Sequence, residues 1–129
     1  MIAARTVDGS PAHPRITLVY MTGPTWCGSG GCTLFVLAPG ETGLVELGAV
    51  TLVHAPVIVM DTRTNGMPDI AVRVRGDYYP GEGEKFVVLP FDGHDYAANP
   101  TMPPARLLPG PADGEIGIAE DQADFAFGR

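Results

Sequence analysis

The chain has 129 residues, which suits one domain, and its 45% hydrophobic and 18% charged residues indicate a globular rather than a disordered protein. The net charge is −7 and the few basic residues are scattered, so the chain lacks the basic stripe that nucleic acid or an anionic membrane would require. An acidic surface instead favours a basic protein partner. No apolar run approaches the ~18 residues of a membrane span, and we expect a single domain over residues 1–129.

Glycine and proline punctuate the whole sequence, with 17 Gly and 13 Pro. Proline breaks helix interiors and glycine raises the entropic cost of ordering, so few windows can hold a long helix. Short strands joined by tight turns are the local structure that this composition still permits. The sequence therefore predicts a mostly-β fold, an antiparallel sheet or sandwich of about seven short strands with a possible short C-terminal helix.

The first half of the chain contains an irregular segment followed by apolar runs. Residues 1–15 carry Gly9, Pro11 and Pro14, so we expect them to be irregular, and they lack the apolar core of a signal peptide. Apolar runs then predict strands over residues 16–21, 33–37, 44–53 and 57–61. Gly48 indicates a bulge in the third of these strands.

The second half begins at a turn, Asn65-Gly66, which leads into a strand over residues 70–75. Alternation there places Ile70, Val72 and Val74 inward, with Arg73 and Arg75 facing water. A sixth strand is predicted over residues 84–89, with a turn at residues 91–96 leading into a short seventh.

Two segments complete the chain. Residues 97–114 are rich in proline and predict an extended surface segment. Residues 115–129 form an acidic tail in which Ile116 and Phe127 belong to a helical spacing, whereas Phe125 and Phe127 alternate as in a strand. We favour a short helix or an ordered tail that docks on the core.

Cys27 and Cys32 lie between two predicted strands, separated by four residues that include three glycines. This spacing favours a hairpin loop closed by a disulfide. A redox-active pair would need two intervening residues and a following helix, and a zinc site would need about four ligands. Because disulfides persist in oxidising compartments, we expect a periplasmic or secreted protein whose signal peptide is absent from this sequence.

The closed loop is the first candidate binding element, because a rigid loop binds with little ordering cost. Exposed aromatic residues are the second, because Trp and Tyr are frequent anchors of interfaces. The candidate binding residues are Trp26, Gly28, Ser29, Gly30, Gly31, Tyr78 and Tyr79. The alternative for Trp26 is packing beneath the loop, and for the tyrosines it is an ordinary contact with the core.

An enzyme would need converging acid, base or nucleophilic groups. The sequence offers Ser29, and His94 with Asp92 or Asp95. A turn residue facing solvent is the simpler interpretation of His94. We therefore expect neither a catalytic site nor a cofactor.

The segment from Asp61 through Asn65 to Asp69 resembles the calcium loop of FG-GAP propeller repeats, in which oxygen ligands recur at alternate positions. Arg63 departs from that pattern, because it places a cation where a ligand should stand. We therefore favour the alternative in which the two aspartates cap a turn and pair with Arg63, without a metal.

The order of motifs also resembles a family of small exported bacterial domains. Its elements are the Cys27-Gly28-x-x-Gly31-Cys32 hairpin, then Thr64-Asn65-Gly66-x-x-Asp69, then Phe91-Asp92-Gly93-x-x-Tyr96. The disulfide-closed loop is similar to the loop with which the inhibitor of vertebrate lysozyme family plugs a basic hydrolase. The resemblance implies a periplasmic protein-binding module, an inhibitor or immunity protein of a cell-wall hydrolase. The alternative is a structural or accessory envelope protein without inhibitory activity.

Overall fold

The structure, a computed structural model, describes residues 2–28, 30–75, 79 and 85–119. These residues form strands and turns without a helix, so none of them belongs to a helix that could cross a membrane. The strands are β1 (Ile2–Asp8), β2 (Arg15–Met21), β3 (Cys32–Gly40), β4 (Gly43–Thr64), β5 (Met67–Val74), β6 (Lys85–Leu89), β7 (Arg106–Leu108) and β8 (Gly114–Ile118). All their pairings are antiparallel, which confirms the predicted fold class.

The 22-residue strand β4 belongs to two sheets. Its first part pairs with β3 as far as Val53, and its second part pairs with β5 from His54 onward. The first sheet therefore has the order β1-β2-β3-β4, and the second has the order β8-β4-β5-β6-β7. A register irregularity between His54 and Val57 marks the passage from one sheet to the other.

The main core lies between the inner faces of these sheets, because alternate residues of each strand point toward it. In β2, Leu18 is fully buried, whereas Val19 beside it is only partly buried. β5 follows the predicted alternation, with Ile70, Val72 and Val74 buried. Its other face carries the partly buried Arg73 and the exposed Arg75.

A second, smaller apolar cluster lies on the far face of the second sheet. It contains Ile58, Met60, Ala71 and Val88, and Ala112 of the proline-rich segment packs against it. The segment predicted to be extended over residues 97–114 therefore contains the short strand β7 and helps to cover this cluster.

The N-terminal segment differs from the sequence prediction, because residues 2–8 form β1 instead of an irregular stretch. Its glycine and prolines fall in the turn that follows, where Gly9 N donates to Pro14 O and Ser10 N donates to His13 O. The sequence located the residues of this turn correctly, but it extended the irregular segment over residues 2–8, which form β1.

The predicted third and fourth strands are one strand, because Pro56 lies at the corner where β4 changes sheets and does not end it. The predicted bulge is confirmed beside Gly48, since the register slips between the pairs Val36–Gly48 and Leu37–Glu46. Beyond residue 90, Phe91 and Tyr96 form an isolated bridge, and the seventh strand comes later, at residues 106–108.

The acidic tail begins as a strand, so of the two forms that the sequence favours, a short helix is wrong for residues 115–118. The ordered tail docked on the core is confirmed for this part, because Ile118 is fully buried in the main core. Glycines permit the close approach of β8 to its neighbours. A Cβ on Gly114 would collide with the carbonyl oxygen of Val59, and one on Gly117 would lie 2.6 Å from Leu18 Cδ1. The prediction for residues 120–129 lies outside the described residues.

Candidate binding surface

The predicted disulfide is confirmed. Cys27 and Cys32 are joined with an S–S distance of 2.09 Å, and they close a hairpin loop that we call the stapled loop (residues 27–32). Gly28 N donates to Gly31 O at 2.9 Å, and Gly31 N donates to Gly28 O at 3.3 Å. The covalent bond and the backbone pair therefore hold the same turn.

Gly31 fixes the stapled loop against the corner of β4. Its φ of +142° lies outside the region that L side chains readily adopt. A Cβ at this position would also come within 2.6 Å of the carbonyl carbon of Leu52 and 2.8 Å of Val53 N. The loop can approach β4 this closely only with glycine at position 31.

Trp26 lies immediately before the stapled loop, outside the main core. Its side chain is 38% exposed, and its ring meets that of Phe35 edge to face, with centroids 5.6 Å apart and an interplanar angle of 82°. Thr33 Oγ1 donates to the Trp26 carbonyl at 3.0 Å. The indole is thus braced on one side and open to solvent on the other.

His54 and Arg73 stand opposite each other in the second sheet, beside the stapled loop. The His54 ring lies near the backbone of Gly30, while its buried Nε2 atom has no hydrogen-bond partner among the described residues. Burial, followed by the nearby charge of Arg73, lowers the pKa of His54, which favours the neutral form of the ring. Arg73 Nε donates to the carbonyl of Ala55 at 2.7 Å.

Tyr79, which the sequence predicts as a binding residue, is partly buried. It packs against the main core, and its hydroxyl donates to the carbonyl of Pro100. Burial raises the pKa of this phenol. Two other predicted binding residues, Ser29 and Tyr78, lie outside the described residues.

The loop that resembles a calcium site is a network of hydrogen bonds within the protein. Asp69 is 2% exposed, and its two carboxylate oxygens accept from Thr62 Oγ1 and Thr64 Oγ1, each at 2.7 Å. Arg63 Nη1 donates to the carbonyls of Gly9 and Gly66, both at 2.9 Å. Asp69 is therefore held by hydroxyls and not by Arg63, which corrects the pairing that we expected.

The other two ligand candidates do not share hydrogen bonds with Asp69 in the described part of the chain. Asn65 Nδ2 donates to the carbonyl of Phe91 at 2.8 Å, and Asp61 is exposed. Asn65 and Gly66, with φ values of 52° and 83°, form the predicted turn. Over the described ranges, no group of three or more His, Cys, Asp or Glu residues could hold a metal ion.

The candidates for acid–base chemistry form a turn. Asp92 Oδ1 accepts from the backbone nitrogens of His94 and Asp95, at 2.7 and 2.8 Å. These bonds lower the pKa of Asp92. The side chains of all three residues are exposed.

Two shallow cavities lie away from the stapled loop. One, of about 330 Å³, lies between β6 and the proline-rich segment and is lined by Phe86, Leu108 and Pro109 among others. The other, of about 400 Å³, has Asp61, Arg63 and Glu115 in its lining. The stapled loop and Trp26 line neither of them.

The sequence located the covalent loop and Trp26, but it did not reveal their neighbours. Phe35 contacts the indole from β3, which begins within the stapled loop, and His54 lies near Gly30 from the more distant strand β4. Only the strand register could have identified them. No family model, curated protein or solved structure matches the chain.

Proposed function

We propose that the chain is a protein-binding module of the periplasm or the extracellular space, and that it presents the stapled loop and Trp26 to a protein partner. The observation that carries this proposal is the half-exposed indole of Trp26, braced by Phe35 beside a covalently closed hairpin. The disulfide is compatible with a non-reducing compartment.

Preorganisation supports this role. A loop that is already closed by a covalent bond loses little conformational freedom on binding, and an indole offers a large contact area at low entropic cost. Because Trp26 is partly exposed and lines neither of the two cavities described above, it suits contact with a protein partner better than enclosure of a small ligand.

We further propose a cell-wall hydrolase with a basic active-site cleft as the partner, so that the chain acts as an inhibitor or immunity protein. The net charge of −7 supports such a partner, because opposite charges accelerate association. Gly30 and Gly31 of the stapled loop are buried, so the loop would contribute its exposed Gly28 to the contact, and Trp26 would contribute the apolar anchor.

A binding assay with matched variants tests the proposal. The full chain is titrated against a panel of lysozymes and other cell-wall hydrolases, with binding measured by calorimetry and lysis of cell walls measured in parallel. We expect binding and inhibition by the wild-type chain, and at least a tenfold loss of affinity for Trp26→Ala, as for other interface anchors. Ile116→Ala removes a comparably exposed apolar side chain from β8 and should leave the affinity unchanged.

The outcomes distinguish the general hypothesis of a binding module from the narrower hypothesis of a hydrolase inhibitor. If no hydrolase binds and envelope extracts yield no partner whose binding requires Trp26, the binding module is refuted. If a partner other than a hydrolase binds through Trp26, the inhibitor hypothesis is refuted and the binding module stands.

A further inference from the structure

His54 lies where the stapled loop meets the corner of β4. Val53 and Ala55, on either side of it, are buried in the main core, so strand alternation places the His54 ring on the opposite face. Gly30 and Gly31 are buried although they belong to a turn, and the His54 ring lies near the backbone of Gly30. The stapled loop therefore covers part of the histidine.

The surroundings of the His54 ring favour its neutral form. Nε2 is buried and has no hydrogen-bond partner among the described residues. Arg73 stands opposite His54 in β5, and Arg75 follows two residues later in the chain. Burial and then Arg73 lower the pKa of His54 by more than the Gly30 backbone raises it. Protonation would therefore place a charge beside Arg73 with no acceptor at Nε2.

Two other kinds of titratable side chain near this corner supply no negative charge. Tyr20 of β2 donates its hydroxyl proton to the carbonyl of Val53 at 2.9 Å, and burial raises the pKa of this phenol. Cys27 and Cys32 are joined, so neither is a thiolate. No carboxylate of the described residues is among the groups that act on His54. A proton on His54 would therefore stay uncompensated in this part of the chain.

We propose that His54 is a pH-dependent switch of the stapled loop, in which the neutral ring lets the loop rest on β4 and protonation displaces both the ring and the loop. A charged imidazole gains hydration by moving to solvent, and the backbone that covers it has to move as well. Acidification then raises the population of the displaced conformation, because that conformation binds the proton better. The disulfide confines the movement, because Cys32 stays in β3.

Trp26 links the movement to the candidate binding surface. It directly precedes Cys27, and its carbonyl accepts from Thr33 Oγ1 at 3.0 Å. Displacement of the loop would alter the edge-to-face contact between the indole and Phe35. A partner bound through this surface would therefore be released as the pH falls, a consequence that rests on the proposed function. The movement itself requires no partner.

Fluorescence tests the switch in the full chain without a partner, because Trp26 is the one tryptophan of the sequence. Emission is recorded from about pH 8 to about pH 5, together with the far-ultraviolet circular dichroism spectrum. We expect a reversible shift of the emission to longer wavelength, with a midpoint below the ordinary histidine value of about 6.5, while the dichroism stays constant. His54→Asn should abolish the shift, and His94→Asn, at an exposed turn, should retain it.

Two further measurements address the cause of the shift. Arg73→Gln keeps a side-chain donor for the carbonyl of Ala55 but removes the charge that opposes protonation, so it should raise the midpoint. In the wild-type chain, nuclear magnetic resonance should show the amide signals of Gly30 and Gly31 titrating with the same midpoint as the His54 ring. This second measurement needs no variant to fold.

Four results would overturn the inference. They are emission that does not change with pH, a shift that persists in His54→Asn, dichroism lost in step with the emission, and glycine amides that do not follow the His54 ring. Each of these results would leave the proposed function standing, because no partner is present. Conversely, a failed hydrolase assay would leave the pH-dependent movement of the loop intact.

Discussion

Two turns lie near opposite ends of β2, and each holds its conformation by different interactions. At one end, the stapled loop is held by a disulfide and by a glycine pressed against β4. At the other end, the turn at residues 62–69 lies next to Gly9 and is held by side chains that bind one another and nearby carbonyls. The stapled loop leaves the neighbouring indole of Trp26 partly open to solvent. In the turn at residues 62–69, by contrast, the polar side chains bind other groups of the protein.

This difference shows why a polar motif is a poor guide to the binding site here. The segment rich in Asp, Asn and Thr looks like a ligand site, but its side chains complete the fold. The stapled loop has few polar side chains, and its conformation does not depend on the indole of Trp26. Three changes, ordered by expected effect, test this comparison.

Asp69→Ala should have the largest effect. The exchange removes a buried carboxylate that accepts from two threonine hydroxyls, and hydrogen bonds to a charged group contribute about 1.5–3 kcal/mol each. We expect the free energy of unfolding to fall by about 3 kcal/mol in urea denaturation. Asp61→Ala, at an exposed position of the same segment, is the matched control and should change it by less than about 0.5 kcal/mol. Equal effects of the two exchanges would contradict the internal role of Asp69.

Breaking the disulfide should have an intermediate effect. Replacing Cys27 and Cys32 together by Ser frees a short loop, and the chain-entropy relation gives a loss of about 2 kcal/mol. Reducing the wild-type chain should have the same consequence, and the reductant should not alter the double variant. An unchanged midpoint of unfolding would show that the hydrogen bonds of the hairpin suffice.

The smallest effect concerns the pH dependence at His54. Burial, followed by Arg73, lowers its pKa in the folded chain, so the folded state binds a proton less readily than the unfolded state. The stability contributed by the neutral ring is full above the unfolded pKa of about 6.5 and is lost as the pH falls toward the lowered folded value. His54→Asn should flatten this acid limb in thermal melts, whereas His94→Asn, at an exposed turn, should not. An identical limb in wild type and His54→Asn would refute this assignment.

The sequence predicted most strands because period-two burial leaves a visible trace, as in Ile70, Val72 and Val74. The prediction failed where proline or glycine lies within a strand instead of ending one. Pro56 looks like the end of a strand, but it occupies the corner at which β4 moves between sheets. Gly114 and Gly117 give no apolar pattern in the sequence, although they let β8 lie close to its neighbours.

The candidate binding surface was partly predictable for a related reason. A disulfide across a short, glycine-rich loop follows from local spacing, so Cys27 and Cys32 could be paired from the sequence. The support of Trp26 by Phe35 depends on which face of β3 is outward. The contact of His54 with Gly30 depends on how β4 turns past the loop. Neither follows from residues adjacent in the chain.

Because β4 belongs to both sheets, the two sheets cannot be separated into independent units. Because one continuous strand supplies a ladder to β3 and then to β5 and β8, neither sheet can be excised with all its edges intact. Cleavage near the corner at residues 53–57 would cut the only covalent path shared by the two ladders. A fragment that ends at this corner would keep the part of β4 against which Gly31 rests, but it would lose the second sheet, whose residues complete the main core. The stapled loop therefore depends on the whole domain.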